Sequence, residues 1–116
     1  GPRFRYLGHS GHAFVLATGV KIAHAQLERF LDGFANPIHE ARFAVEHLTR
    51  GDRLLIELGG SPPLPAAGLV RRRFLDSALD LAHAHQCGFL AVEVRTYPAA
   101  VRAKRRLQVE ERPWGL

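Results

Sequence analysis

The stretch that decides the fold runs from Asp52 to Val94 and contains two apolar runs separated by a helical pattern. The first run, DRLLIEL (52–58), has three consecutive large apolar residues and predicts a buried strand. The second run, FLAVEV (89–94), predicts another buried strand. Between them, residues 69–86 place apolar side chains at helical spacing. A strand, a helix and a second strand in this order favour an α/β sandwich.

The preceding residues predict two strands followed by two helices. Residues 3–7 and 12–18 are short apolar stretches on either side of a glycine-containing turn, which favours a hairpin. Residues 21–34 predict a helix. A second helix is predicted over 36–50, because asparagine caps it, proline takes its first position and glycine follows its end.

The residues after the second buried strand predict one more helix. Pro98 opens it, and it covers residues 99–107, with a closing strand from Val109 as an option. The predicted order is therefore β-β-α-α-β-α-β-α(-β). We expect residues 1–116 to form a single α/β domain, because a 12.9 kDa chain is too small for two independent cores.

Composition narrows the class of protein further. Apolar residues make up 47% and charged residues 23% of the chain, as in ordinary globular proteins. No apolar run approaches the roughly 20 residues of a membrane span, and no secretory signal is recognisable at the start. The single cysteine, Cys87, excludes an internal disulfide framework and a cysteine-based zinc cluster. These features predict a cytoplasmic protein with no membrane partner.

The net charge of +5 is concentrated in the second half of the chain. Residues 61–116 hold nine basic and five acidic side chains. An anionic ligand is therefore expected to meet this half, and charge alone leaves nucleic acid and a phosphorylated cofactor both open.

Three segments from residue 52 onward resemble the GNAT superfamily of N-acetyltransferases. The strand DRLLIEL followed by the helix GLVRRRFLDSALDLAHAHQCG (68–88) is similar to the family's cofactor-binding strand and helix. GFLAVEVRTYP (88–98) is similar to its fifth strand, which commonly reads LxLEVR. AAVRAKRRLQVEERP (99–113) is similar to its AxxLYRRLGFVEE segment. The resemblance implies a GNAT-like mixed sheet flanked by helices.

The resemblance also implies a reaction, in which an acetyl group moves from acetyl-CoA to an amine that the sequence does not identify. Glu57 would take the proton from the amine, and Lys104 occupies the position of the tyrosine that protonates the departing thiolate. The residues implied in binding acetyl-CoA are Leu58, Gly68, Leu69, Val70, Arg71, Arg72 and Arg73.

The residues themselves leave alternatives to this reaction. The arginines 71–73 at the predicted start of a helix would suit an anion, but they equally suit a solvated basic face. Glu57 could instead lie on an outer face of the sheet, paired with an arginine. The basic residues Arg102, Lys104, Arg105 and Arg106 predict a solvated surface, with a phosphate contact as the alternative.

Three further possibilities are a metal site, a non-catalytic binding domain and a homodimer. Seven histidines raise the question of a metal, but only His9 and His12 bracket one turn, and no closed ligand set surrounds them, so no metal is expected. A non-catalytic domain could use its basic C-terminal face to bind nucleic acid or a protein. An open sheet edge could also make the chain a homodimer.

Overall fold

The computed structural model of the protein describes residues 3–5 and 12–112, with side chains described from residue 12 onward. The described residues form seven strands and three helices. The strands are β1 (Arg3–Arg5), β2 (His12–Val15), β3 (Lys21–Ala23), β4 (Ile38–Leu48), β5 (Gly51–Gly60), β6 (Leu90–Pro98) and β7 (Arg106–Arg112). The helices are α1 (His24–Asp32), α2 (Ala67–Asp76) and α3 (Leu79–Gln86).

Five of the strands form one mixed sheet in the order β1-β7-β4-β5-β6, and β2 and β3 form a separate pair. β4 and β5 are antiparallel neighbours joined by a tight turn. β6 runs parallel to β5, and β7 runs parallel to β4 on the other side. The predicted α/β class is confirmed, whereas the predicted order of elements is not.

The predicted unit of two parallel strands joined by a helical connection is confirmed for β5 and β6. The single long helix predicted over 69–86 is instead two helices. The hydroxyl of Ser77 donates a hydrogen bond of 2.5 Å to the carbonyl of Phe74 at the end of α2. Ala78 is then extended, with φ −153° and ψ 137°, and the chain turns before α3 begins. Serine competes for backbone carbonyls in this way, which favours a helix end at this point.

The helix predicted over residues 36–50 is wrong, because this segment is the central strand β4. Ala41, Phe43 and Val45 are buried, while the residues between them point to the opposite side of the sheet. This alternation is the period of a strand. A helix would have placed Phe43 away from the apolar face formed by Ile38, Ala41 and Val45.

The predicted hairpin of the first two strands is also wrong. β1 pairs with β7, and β2 pairs with β3. The first residues of the helix predicted over 21–34 are the strand β3, and α1 follows directly. Residues 6–11, on which the predicted turn falls, lie outside the described residues.

The last predicted helix, 99–107, does not form. Residues 99–105 contain no helix, and β7 begins at Arg106. Arg105 fixes this segment, since its guanidinium donates to the carbonyl of Ile38 at 3.0 Å and to the carboxylates of Glu28 at 2.7 Å and Asp32 at 2.8 Å. These contacts to α1 and β4 hold the segment in an irregular, non-helical path. Arg105 is therefore a structural residue rather than part of a solvated face.

One face of the sheet carries the core. Phe30 of α1, Phe43 of β4 and Phe74 of α2 meet there with ring centroids 5.4–6.3 Å apart. On the opposite side of β4–β7, called the open face below, alternation places mostly charged side chains. They include Glu40, Arg42, Glu46, Arg53, Glu57, Glu93, Arg95, Tyr97, Arg106, Glu110 and Arg112.

Candidate functional site

The sequence-predicted catalytic and cofactor-binding residues lie on opposite sides of the sheet. Glu57 pairs in register with Arg42 on the open face, while the neighbouring pair, Ile56 and Phe43, points into the core. Phe43 contacts Phe74 of α2, with centroids 6.2 Å apart. The sheet therefore separates Glu57 from the arginines of α2, and the two groups do not form one site.

Glu57 is held in an ion pair. Its Oε1 accepts a hydrogen bond of 2.8 Å from Nη1 of Arg42, and Nη2 of the same guanidinium lies 3.2 Å from Oε2 of Glu110. Glu110 is only 4% exposed. The arrangement is the outer-face pair with arginine that the sequence left as an alternative. A carboxylate bound in this way is satisfied structurally, and the pocket that it lines has a volume of only about 140 Å³.

Three other predicted site residues need correction. Lys104 lies in the irregular segment 99–105 and is exposed, so the helical register that aligned it with a catalytic tyrosine does not exist. The side chains of Leu58 and Val70 are fully buried in the core. The backbone of Leu58 lies between β4 and β6, which pair with β5 on its two sides. Neither side chain can contact a ligand.

The three consecutive arginines lie in the middle and last turns of α2, since that helix begins at Ala67. The prediction that they cluster at a helix N-terminus is therefore wrong. Cations near a helix C-terminus interact favourably with the helix dipole, so no bound anion is required to explain them. Any anion site here must be argued from the surface that they share with neighbouring residues.

That surface is a groove between α1 and α2 with a volume of about 590 Å³. Arg29 of α1 and Arg72 of α2 are exposed on it, and neither has an ion-pair partner among the described residues. Arg73 is anchored, because it donates to the carbonyl of Gly33 and its guanidinium lies 5.4 Å from the ring centroid of Phe34. The full lining consists of Gln26, Arg29, Phe30, Gly33, Leu69, Arg72, Arg73, Asp76 and Ser77.

The groove combines positive charge with apolar surface. It carries three guanidinium groups and one carboxylate, that of Asp76. Leu69 is 44% exposed, which is high for a large apolar side chain, and Phe30 lines the same surface. On the other side of α2, Arg71 and Arg72 line a shallower depression of about 320 Å³ with Gly68 and His85. Arg72 is therefore shared by both depressions.

Sequence reasoning missed Arg29 because it belongs to a different helix. Its position in the chain, 43 residues before Arg72, carries no local signal of proximity. The groove brings it together with Arg72 and Arg73, and leaves the predicted partners Leu58 and Val70 in the core.

A second cluster missed by the sequence surrounds Tyr97 on the open face. Its hydroxyl donates a hydrogen bond of 2.8 Å to Oε1 of Glu40. Burial, the Glu40 hydrogen bond and charge, and the charge of Glu57 raise the pKa of Tyr97 from 10.0 to about 12, while Arg106 opposes them. Gly59 makes room for the ring, because a Cβ at Gly59 would lie 2.6 Å from Cε2 of Tyr97.

We expect the phenol of Tyr97 to ionise late in an alkaline titration. The folded pKa of about 12 lies above the usual 10.0, so this phenol adds stability below pH 10 that is lost as the pH rises towards 12. Titrating the phenolate absorbance of the wild type and of Tyr97→Phe isolates this residue, since the chain has only one other tyrosine. A difference curve centred near pH 10 would contradict the Glu40 contact.

His39 and Ser61 form a partly buried pair just after the end of β5. Nε2 of His39 and Oγ of Ser61 are 2.8 Å apart, and His39 is 6% exposed. In a nucleophilic serine site a third group orients the histidine. Among residues 12–112 no acidic side chain bonds the ring of His39. The hydrogen bond links the loop after β5 to β4.

Residues 12–112 offer no group of three or more histidine, cysteine, aspartate or glutamate side chains positioned to hold a metal ion. His9, one half of the histidine pair that the sequence singled out, lies outside the described residues. Among the described helices, none has the length and apolarity needed to span a membrane.

Comparisons with known proteins give one structural likeness. No protein-family model matches the chain, and no curated protein matches it in sequence. The chain is similar to a domain of phenylacetate-coenzyme A ligase from Bacteroides vulgatus ATCC 8482, with 17% sequence identity and a TM-score of 0.46. The alignment covers 85% of this chain and 92% of that domain. A likeness at this level assigns no activity.

The predicted membership of the GNAT superfamily is wrong, and so is the acetyl transfer that it implied. The similar solved structure is a domain of a coenzyme A ligase rather than an acetyltransferase. Within the chain itself, the helix that carried the last family segment is absent, and Glu57 and the arginines of α2 occupy different sides of the sheet.

Proposed function

We propose that this domain binds a phosphorylated ligand of the coenzyme A type in the groove between α1 and α2. The observation that supports the proposal is the pair of exposed arginines, Arg29 and Arg72, which face one groove without an ion-pair partner among the described residues. Elsewhere most acidic side chains are paired with a cation, above all on the open face. The groove keeps a net positive charge after the carboxylate of Asp76 is counted, and this charge is available to a ligand.

The chemistry of the groove suits a phosphate group attached to an organic moiety. Guanidinium groups bind phosphate oxygens through two parallel hydrogen bonds, and they do so more strongly than neutral donors. Phe30 and Leu69 supply apolar surface for the remainder of the ligand. The volume of about 590 Å³ falls within the usual range for small-molecule sites.

Coenzyme A is the first ligand to test because it joins several phosphate groups to a long, weakly polar arm. The structural neighbour is described as a domain of a coenzyme A ligase, which makes this ligand a natural first choice. The proposal concerns binding, and it includes no acyl transfer.

Replacing Arg72 by glutamine is expected to weaken binding of coenzyme A by roughly 10- to 100-fold, because a charge-assisted hydrogen bond contributes about 1.5–3 kcal/mol. Arg29→Gln should have a similar effect. Isothermal titration of the folded domain measures both. Arg50→Gln is the matched control, since Arg50 is also exposed without an ion-pair partner among the described residues but does not line the groove.

Three outcomes would contradict the proposal. Wild-type protein that binds no coenzyme A at millimolar concentration would exclude the ligand. Equal loss of affinity in Arg50→Gln would show general charge attraction rather than a groove. Binding of an oligonucleotide that is stronger than binding of coenzyme A, with a steep dependence on salt, would point to nucleic acid instead.

A further inference from the structure

The strand β6 forms an edge of the sheet. It occupies the last position in the strand order, and among the described strands only β5 pairs with it. It is nine residues long, and Ala91, Glu93 and Arg95 on its open-face side are exposed. A long edge strand presents a row of unpaired backbone groups, which proteins usually block with lysine, proline or a bulge. β6 has no lysine, and its one proline, Pro98, is its last residue.

The sequence of β6 is complementary to itself when the strand is reversed. In an antiparallel pair of identical strands, residues directly opposite each other share a face, so the two-fold axis must pass through a residue. If the axis passes through Val94, Glu93 of one copy lies opposite Arg95 of the other, and the contact occurs twice. Ala91 then lies opposite Tyr97, and Val92 lies opposite Thr96.

Other registers are less favourable. An axis through Glu93 places the two Glu93 carboxylates opposite each other, and an axis through Arg95 does the same with two guanidinium groups. Like charges directly opposite are destabilising in a sheet, whereas opposite charges are stabilising. The Val94 axis also overlaps the whole strand, from Leu90 to Pro98. The pairing of opposite charges and the length of the overlap therefore both favour the register centred on Val94.

We propose that two copies of this chain pair through their β6 edges, antiparallel and centred on Val94, and so continue the two sheets into one. Glu93 and Arg95 have side chains that are 57% and 61% exposed in the single copy, where Nη2 of Arg95 lies 3.3 Å from Oε1 of Glu93. In the pair, each guanidinium lies between the carboxylate of its own strand and that of the second copy. On the core side, the half-buried Val94 gains cover from Val94 of the second copy, and the half-buried Val92 gains cover from Thr96 of the second copy.

Charge reversal tests the pairing directly. Glu93→Arg places arginines opposite each other and Arg95→Glu places glutamates opposite each other, so each should raise the dissociation constant of the dimer by about tenfold or more. The double variant Glu93→Arg/Arg95→Glu exchanges the two charges and should restore wild-type dimerisation. The measurement is sedimentation velocity over a range of protein concentrations, with circular dichroism to confirm folding.

Matched controls separate the pairing from the change in net charge. Asp80→Arg changes the charge by the same amount as Glu93→Arg, on the exposed surface of α3, and Arg50→Glu matches Arg95→Glu. Neither control should alter the dissociation constant of the dimer beyond the small effect of the changed net charge. Arg72→Gln should also leave it unchanged, which distinguishes failure of this inference from failure of the proposed ligand groove.

Cross-linking gives a second readout. In a Cys87→Ser background, Val94→Cys places two thiols at the two-fold axis. Opposite residues in antiparallel strands have Cα atoms about 4.5–5.5 Å apart, which is within reach of a disulfide. Mild oxidation should give a covalent dimer, whereas Ala91→Cys should not. A wild type that is monomeric up to millimolar concentration, or a double variant as dissociated as the single ones, would overturn the inference.

Discussion

Replacing Phe43 by alanine is expected to lower the free energy of unfolding by about 3–5 kcal/mol, since a large buried aromatic side chain leaves both lost contacts and a cavity. Phe43 is 0% exposed and lies on the central strand. Its ring contacts Phe30 of α1 and Phe74 of α2 at centroid distances of 6.3 and 6.2 Å. The substitution therefore weakens the packing of α1 and α2 against the sheet. Urea denaturation monitored by circular dichroism measures the loss.

The control is Phe89→Ala, which removes the same side chain from a position that is 48% exposed. Its cost should be clearly smaller, because about half of the ring is already in water. A cost below about 1 kcal/mol for Phe43→Ala would show that the register of β4 is wrong. A shift of one residue would move Arg42 into the core and Phe43 to the open face.

Replacing Asp52 by alanine is expected to destabilise the fold by about 1.5–3 kcal/mol, as is typical for hydrogen bonds to a charged group. The carboxylate is 3% exposed and has two partners. Oδ2 accepts from the backbone N–H of Ala17 at 2.6 Å, and Oδ1 lies 2.6 Å from Nδ1 of His47. Removing it frees the turn after β2 from the sheet and leaves the N–H of Ala17 without this acceptor.

Thermal unfolding measures the global effect, and hydrogen exchange of the Ala17 amide measures the local one. The amide of Ala17 should exchange markedly faster in Asp52→Ala. Asp80→Ala is the control, because Asp80 is exposed and has no ion-pair partner among the described residues. If the exchange rate of Ala17 is unchanged in Asp52→Ala, the carboxylate does not hold this turn.

The part of the fold that the sequence predicts correctly is the part with one strong local signal. Three consecutive apolar residues in β5 correctly predict a buried strand. The FLAVEV run correctly predicts a strand, but the prediction that it is buried is wrong, because β6 lies at the edge of the sheet and only its Leu90 is buried. The segment of β4 is ambiguous, because Ile38, Ala41 and Val45 fit a helical pattern, whereas Ala41 and Val45 also fit an alternating one. The irregularity between Ile38 and Glu40 lets Ile38 share their face in the strand. Phe43 decides between the two, since only a strand buries it with the others.

The C-terminal segment could not be predicted locally. Arg105 selects a non-helical path through its contacts with Glu28 and Asp32, which lie more than seventy residues earlier in the chain. A run of basic residues after a proline gives no sign of these partners, and its composition suits a helix equally well. The contacts that decide this segment exist only once α1 and β4 are in place.

The candidate site also depends on residues that are distant from one another in the chain. Residue type alone draws attention to Arg72 as a group that an anion would meet, but Arg29, which lines the same groove, comes from α1 and is visible only in the structure. Glu57 illustrates the converse. A carboxylate within an apolar strand suggests catalysis, whereas alternation places it beside Arg42 on the open face.

The strand order of the sheet has a consequence for how the domain folds. β4 and β5 meet across a tight turn, so their pairing closes a very short loop. β7 reaches the other side of β4 only by pairing residues such as Glu40 and Arg106, which are 66 positions apart. Closing a longer loop costs more chain entropy and slows folding. Folding is therefore expected to begin with the β4–β5 hairpin. The parallel pairing of β4 with β7 is expected to form later.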